Sequence, residues 1–194
     1  TEESEGNCKV YPIKARIDIE PICSYKEFEL AKWMSKYYHS SFGESLFASL
    51  PAGNPAKIEK KAKPIPAKQK PYLKLNEEQE NVLKKISESI ESKNGKTFLL
   101  HGVTGSGKTE IYLQAIKKVV DMGKQAIVIL PEISLTPQTI KRFAERFEGK
   151  IAVLHSKLSP TSKYRYWQMI KKNEIKIVIG ARSAIFSPAN NLGI

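Results

Sequence analysis

Cysteine is nearly missing from this sequence: Cys8 and Cys23 are the two in 194 residues, and they stand far from any C-x-x-C spacing. That scarcity argues against a disulfide framework or a cysteine-ligated metal cluster, and it fits a reducing, cytoplasmic compartment. Long apolar runs are lacking too. None approaches the ~20 residues of a membrane span, and no charged, apolar and small-residue leader opens the chain, so no membrane partner is expected. Acidic residues are also in short supply, 20 against 32 Lys and Arg, leaving a formal charge of +12 and a pI near 9.6. The imbalance favours a polyanionic partner, although a basic surface is also a common route to solubility, so charge supports nucleic acid without selecting it. The three histidines, His39, His101 and His155, are read as structural. With 41% apolar composition the chain can bury one core and a small appendage. It starts at Thr1 and stops at Ile194 inside an apolar stretch, which leads us to expect an excerpt of a longer polypeptide.

What is present falls into three segments. In residues 1–51, positions 10–18 alternate like a strand, and Ser24 with Glu27 forms a capping box ahead of an apolar stripe of Leu30, Trp33, Met34, Tyr37 and Tyr38. Aromatics at helical spacing usually belong to a core; base stacking is the alternative use of these three rings. Residues 52–74 change to Lys and Pro with no hydrophobic period, the composition of an extended basic linker able to touch phosphates. From Leu75 onward helices alternate with short β-branched runs, which predicts an α/β fold with a parallel sheet. Strands are expected at 97–100, 126–130, 151–154 and 175–179, and helices after Asn76, at 108–122, at 137–147 and at 160–172. Thr136-Pro137 and Ser159-Pro160 mark two of those helix starts.

Between the first expected strand and the second helix lies Gly102-Val103-Thr104-Gly105-Ser106-Gly107-Lys108-Thr109, which fits G-x-x-x-x-G-K-[ST] in its proper strand-to-helix context. A pair of phosphates needs several donors converging on it, and a backbone freed of side chains can turn its N–H groups inward. The helix beginning at Lys108 adds its positive end. Lys108 is assigned to the β- and γ-phosphates and Thr109 to Mg²⁺, which makes these two the catalytic candidates and ATP with Mg the expected cofactors. A second carboxylate for the metal is not visible in the sequence, so this chain alone is expected to be inactive.

The motifs Leu75-Asn76-Glu77-Glu78-Gln79, Gly102 to Glu110, Leu130 to Gln138, Leu154-His155-Ser156-Lys157-Leu158 and Ile179 to Pro188 together resemble the primosomal protein N-prime (PriA) group of superfamily 2 replication-restart helicases. The resemblance covers nearly all of residues 75–194. It implies a RecA-like lobe, truncated before the acidic Mg motif, from an ATP-dependent 3′-to-5′ DNA helicase of primosome assembly. It assigns Gln79 to adenine reading, although Gln79 also suits a capping box with Asn76, and it adds Glu110 to the nucleotide loop. Thr136, Gln138, Arg182 and Ser183 fall in segments that line the single-strand track of similar helicases; Thr136 is equally a good helix cap. Residues 15–51 resemble the end of the family's domain that binds DNA 3′ ends. Expected partners are single-stranded or forked DNA, replication-restart proteins and single-stranded-DNA-binding protein. Zinc is expected of the full-length family, with no ligands in this chain, and the winged-helix domain usual in the family is replaced here by the Lys/Pro stretch. A non-motor P-loop kinase or nucleotide-sensing module is the alternative; it would need a phosphoacceptor pocket where residues 130–138 and 179–188 stand.

Overall fold

Helix starts follow the caps written in the sequence. The computed structural model describes Pro12 and residues 21–51, 67–92 and 94–194; the strand expected over 10–18 and most of the expected linker lie outside the described residues. Two compact units divide the chain, Thr1–Leu46 and Phe47–Ile194. In the first, helix α1 spans Tyr25–Tyr38, with the Glu27 carboxylate accepting from the Ser24 N–H at 2.6 Å. Helix α2, Phe42–Ser49, starts with a second reciprocal pair, Ser41 and Glu44, whose hydrogen bonds hold the Glu44 carboxyl below the usual carboxylate range. The apolar stripe of α1 does not enter a core. Trp33, Tyr37 and Tyr38 are all more than half exposed and pack on one another, Trp33 stacking on Tyr37 at 4.9 Å, while Ala31 is the residue of α1 that is buried.

In the second unit helix α3 covers Glu77–Ser92, α4 Lys108–Asp121, α5 Pro137–Ala144 and α6 Pro160–Lys171, with strands β1 at Ala126–Ile129, β2 at Ile151–Leu154 and β3 at Ile177–Gly180. Thr136 and Ser159 cap α5 and α6 through their hydroxyls, each followed by proline in the first turn. The strands are parallel in the order β1-β3-β2, so β3 is central and all four of its residues are buried. Such continuous apolar burial is what a parallel strand covered on both faces requires. One core lies under α4, with Ile111, Ile116 and Val119 against Ile177 and Ile179, and a second cluster joins Ile170, Ile175, Val178 and Ala184.

One expected strand does not form. Residues 97–100 belong to no ladder among the described residues, and Leu99 is 92% exposed. The edge of β1 is paired instead by the stretch leading to Ile194: Gln125 bridges Leu192 in parallel, and the Ile127 N–H donates to the Ile194 carbonyl at 3.0 Å. A strand's ladder is a property of its neighbour, and residues 97–100 have no hydrogen-bonded neighbour among the described residues.

Gln125 organises this edge. It is fully buried, and its amide nitrogen donates to the carbonyls of Ile170 at 2.8 Å and Ile175 at 2.9 Å, while its amide oxygen accepts from the Asn191 N–H. Gln125→Leu would leave the Ile175 carbonyl without its donor and the Asn191 N–H without its acceptor, while Ile170 keeps the Asn173 N–H; each orphaned group costs about 1–3 kcal/mol. We therefore expect urea denaturation to show a loss of about 2–4 kcal/mol; an unchanged midpoint would refute this role.

Candidate functional site

The glycine-rich loop opens α4. Gly105 and Gly107 take φ of +84° and +83°, which side chains rarely adopt, and a Cβ on Gly107 would come within 2.4 Å of the Gln79 amide nitrogen. Glycine at 107 thus serves both the turn and the close approach of α3. Residues 101–106 are exposed, and no hydrogen bond engages the N–H groups of Gly105, Gly107, Lys108 or Thr109 among the described residues. Four free donors at a helix start suit a phosphate group. The Lys108 ammonium donates to the carbonyls of Gly102 and Val103, both at 2.6 Å, so it already lies on the loop and needs a side-chain rotation to reach an anion there. Gly102, Val103, Thr104 and Ser106 complete the turn, with the Ser106 N–H closing on the Val103 carbonyl at 3.3 Å.

Gln79 performs the cap and touches the loop as well. Its amide oxygen accepts from the Asn76 N–H at 2.9 Å, and its amide nitrogen donates to the Ser106 carbonyl at 3.0 Å. Glu110 departs from the expected arrangement. Although it follows Thr109 directly, it is buried and faces away from the loop's donors: its carboxylate accepts from the Leu73 N–H at 2.9 Å and Gln114 at 3.0 Å, and pairs with Arg146 at 3.3 Å. Thr109 remains exposed, and no cluster of three or more acidic, His or Cys residues able to hold a metal forms among the described residues.

Arg146 had no signal in the sequence, since it lies 36 residues from Glu110 and the fold alone joins them. It also donates to the Pro71 carbonyl and lies 4.8 Å from the Tyr72 ring. Lys70 adds an ion pair to Glu145 at 2.9 Å, which holds that carboxyl below the usual range. Residues 69–73, expected within a free linker, are thus strapped across α4 and the end of α5 by side-chain partners that the linker composition did not reveal. Burial pushes the Tyr72 phenol up to about 12, against the opposing charge of Arg146. Because the folded state keeps a proton that the unfolded chain releases near pH 10, stability is complete below that pH and falls as pH rises toward 12. Alkaline denaturation should show this decline, and Tyr72→Phe should flatten it.

The remaining expected residues gather at the carboxyl ends of the parallel strands. Chain leaving β1 makes a short helical turn, Glu132–Ser134, before the Thr136 cap, and chain leaving β3 makes another, Arg182–Phe186. The second turn folds so closely on β3 that a Cβ on Gly180 would lie 2.8 Å from the Ala184 Cβ. Thr136 accepts from the Thr139 N–H at 3.2 Å; Gln138, Arg182 and Ser183 are exposed, and their side chains make no hydrogen bond among the described residues. His155 follows β2, and Ser156 donates to Glu132 at 2.6 Å.

Comparison with known proteins places this geometry. Residues 72–192 match the family model described as type III restriction enzyme, res subunit, and residues 1–51 match that of the 3′DNA-binding domain. The replication restart protein PriA of Bacillus subtilis is 52% identical over 138 residues, covering 71% of this chain and 16% of its own length. That of Rickettsia felis is 35% identical over 192 residues, covering 96% of this chain and 28% of its own. The chain belongs to the res-subunit family and, within it, to the PriA group. It therefore joins a segment matching the 3′DNA-binding domain model to a helicase lobe of α/β fold. It spans less than a third of the length of either relative.

Proposed function

We propose that the chain is the nucleotide-binding lobe of an ATP-dependent 3′-to-5′ DNA helicase, with residues 1–51 serving a 3′ DNA end and residues 75–194 serving nucleotide and strand. The observation that carries the reading is the set of free N–H donors at Gly105, Gly107, Lys108 and Thr109, on a loop held by the bond from Gln79 to Ser106. ATP and Mg²⁺ fit this donor set: Gly102 to Lys108 would surround the phosphates, Thr109 would ligate the metal, and Gln79 would read the adenine. Bound Mg²⁺ would neutralise charge developing on the phosphates. Glu110, by contrast, supports the loop from behind. The metal's second carboxylate would come from outside the described residues.

DNA contact is assigned to Thr136, Gln138, Arg182 and Ser183, whose amide, hydroxyl and guanidinium groups suit phosphates. They follow β1 and β3 at the carboxyl end of the sheet. Differential affinity for the strand with and without nucleotide would then drive stepping. Single-strand binding by the full-length protein tests this. Arg182→Ala should weaken binding uniformly across sequences and lower the slope of log K against log salt by about 1; an unchanged slope would remove Arg182 from the track.

A further inference from the structure

Beside the Arg182 turn, at the carboxyl ends of β2 and β3, lies a cleft of about 300 Å³. Its walls include Leu154, Trp167, Ile170 and Phe186, and its polar groups include His155 and Ser183. That volume is at the lower end of small-ligand pockets and suits one heteroaromatic ring system, and the mixture of aromatic wall and few polar groups is what such sites use. Trp167 is 7% exposed and its Nε1–H finds no acceptor among the described residues. That nitrogen has almost no solvent-accessible surface, so what Trp167 offers the cleft is apolar wall. The side chains of His155 and Ser183 are likewise uncommitted to any hydrogen bond among the described residues.

Charge decides what kind of occupant fits. The Glu132 carboxylate lines the cleft and, despite its bond from Ser156, disfavours an anion inside it. Lys163 stands in the wall as well, and Arg182 is exposed between two lining residues, Ala181 and Ser183. A neutral ring within and a phosphate at the guanidinium satisfy both signs; a phosphate within does not.

We propose that this cleft receives one unstacked nucleobase of the single strand whose phosphates pass Arg182 and Ser183. The inference rests on the strand-binding reading above and adds a base contact to it. Base–aromatic stacking contributes enough that removing the base should weaken binding roughly tenfold. The test uses the full-length protein with short oligodeoxythymidylates, following binding by anisotropy. A 5-iodouracil-substituted oligomer, irradiated in the complex, should crosslink to Trp167 or His155 in peptide maps, and an abasic oligomer of equal length should bind about tenfold more weakly. An oligomer that binds normally but crosslinks elsewhere, with abasic substitution harmless, overturns the base cleft and leaves the strand track standing. Failure of every oligomer to bind overturns both.

Discussion

Lys108→Ala should lower ATP hydrolysis by the full-length protein at least about a hundredfold, the scale on which loss of a single charge-stabilising donor is felt in a preorganised site. The ammonium is placed for this: its two 2.6 Å bonds go to carbonyls of the loop itself, so exchanging them for phosphate oxygens requires no backbone movement. Those carbonyls belong to exposed residues and can turn to water once the lysine is gone, so the fold should be little affected. Phosphate release measured beside a thermal melt separates the two effects. Near-normal turnover by a folded Lys108→Ala variant would remove the lysine from the chemistry.

The second large effect is expected at Arg146. Its side chain and that of Glu110 are each 9% exposed, so Arg146→Met would bury a carboxylate whose remaining partners are the Leu73 N–H and Gln114. Breaking a buried pair on one side costs about 3–5 kcal/mol, whereas replacing both members costs far less. Arg146→Met should therefore shift the urea midpoint strongly, and adding Glu110→Gln, which retains an acceptor for Leu73, should restore much of the loss. A loss that the double variant leaves untouched would show that Arg146 acts through its packing on Tyr72 and not through the pair. Glu110 adjoins Thr109, so nucleotide affinity should follow the same order among these variants.

Local signals were read well where the interaction is itself local. Ser24, Thr136 and Ser159 cap the helices that their spacing predicted, and the strands at 126 and 151 begin where the β-branched runs begin. Gln79 was legible because its cap partner is three residues away. A decisive partner that is distant in the chain leaves no such local signal. Trp33, Tyr37 and Tyr38 have helical spacing, yet burial depends on what covers them, and they lie exposed. Residues 97–100 are β-branched and apolar in part, yet have no hydrogen-bonded neighbour among the described residues. Glu110 sits within a nucleotide motif, yet its charge is neutralised 36 residues away.

The sequence by itself determined the glycine loop ahead of Lys108, the capped helices and the parallel α/β class, because each depends on backbone freedom or on side chains within a turn of one another. Only the tertiary structure decided that Glu110 braces the strap at Leu73, that Gln125 ties the edge of β1 to α6, and that Trp167 lines a cleft beside Arg182. Those arrangements depend on which buried polar groups meet when distant segments pack, and burial makes each partner obligatory without leaving a periodic trace in the chain.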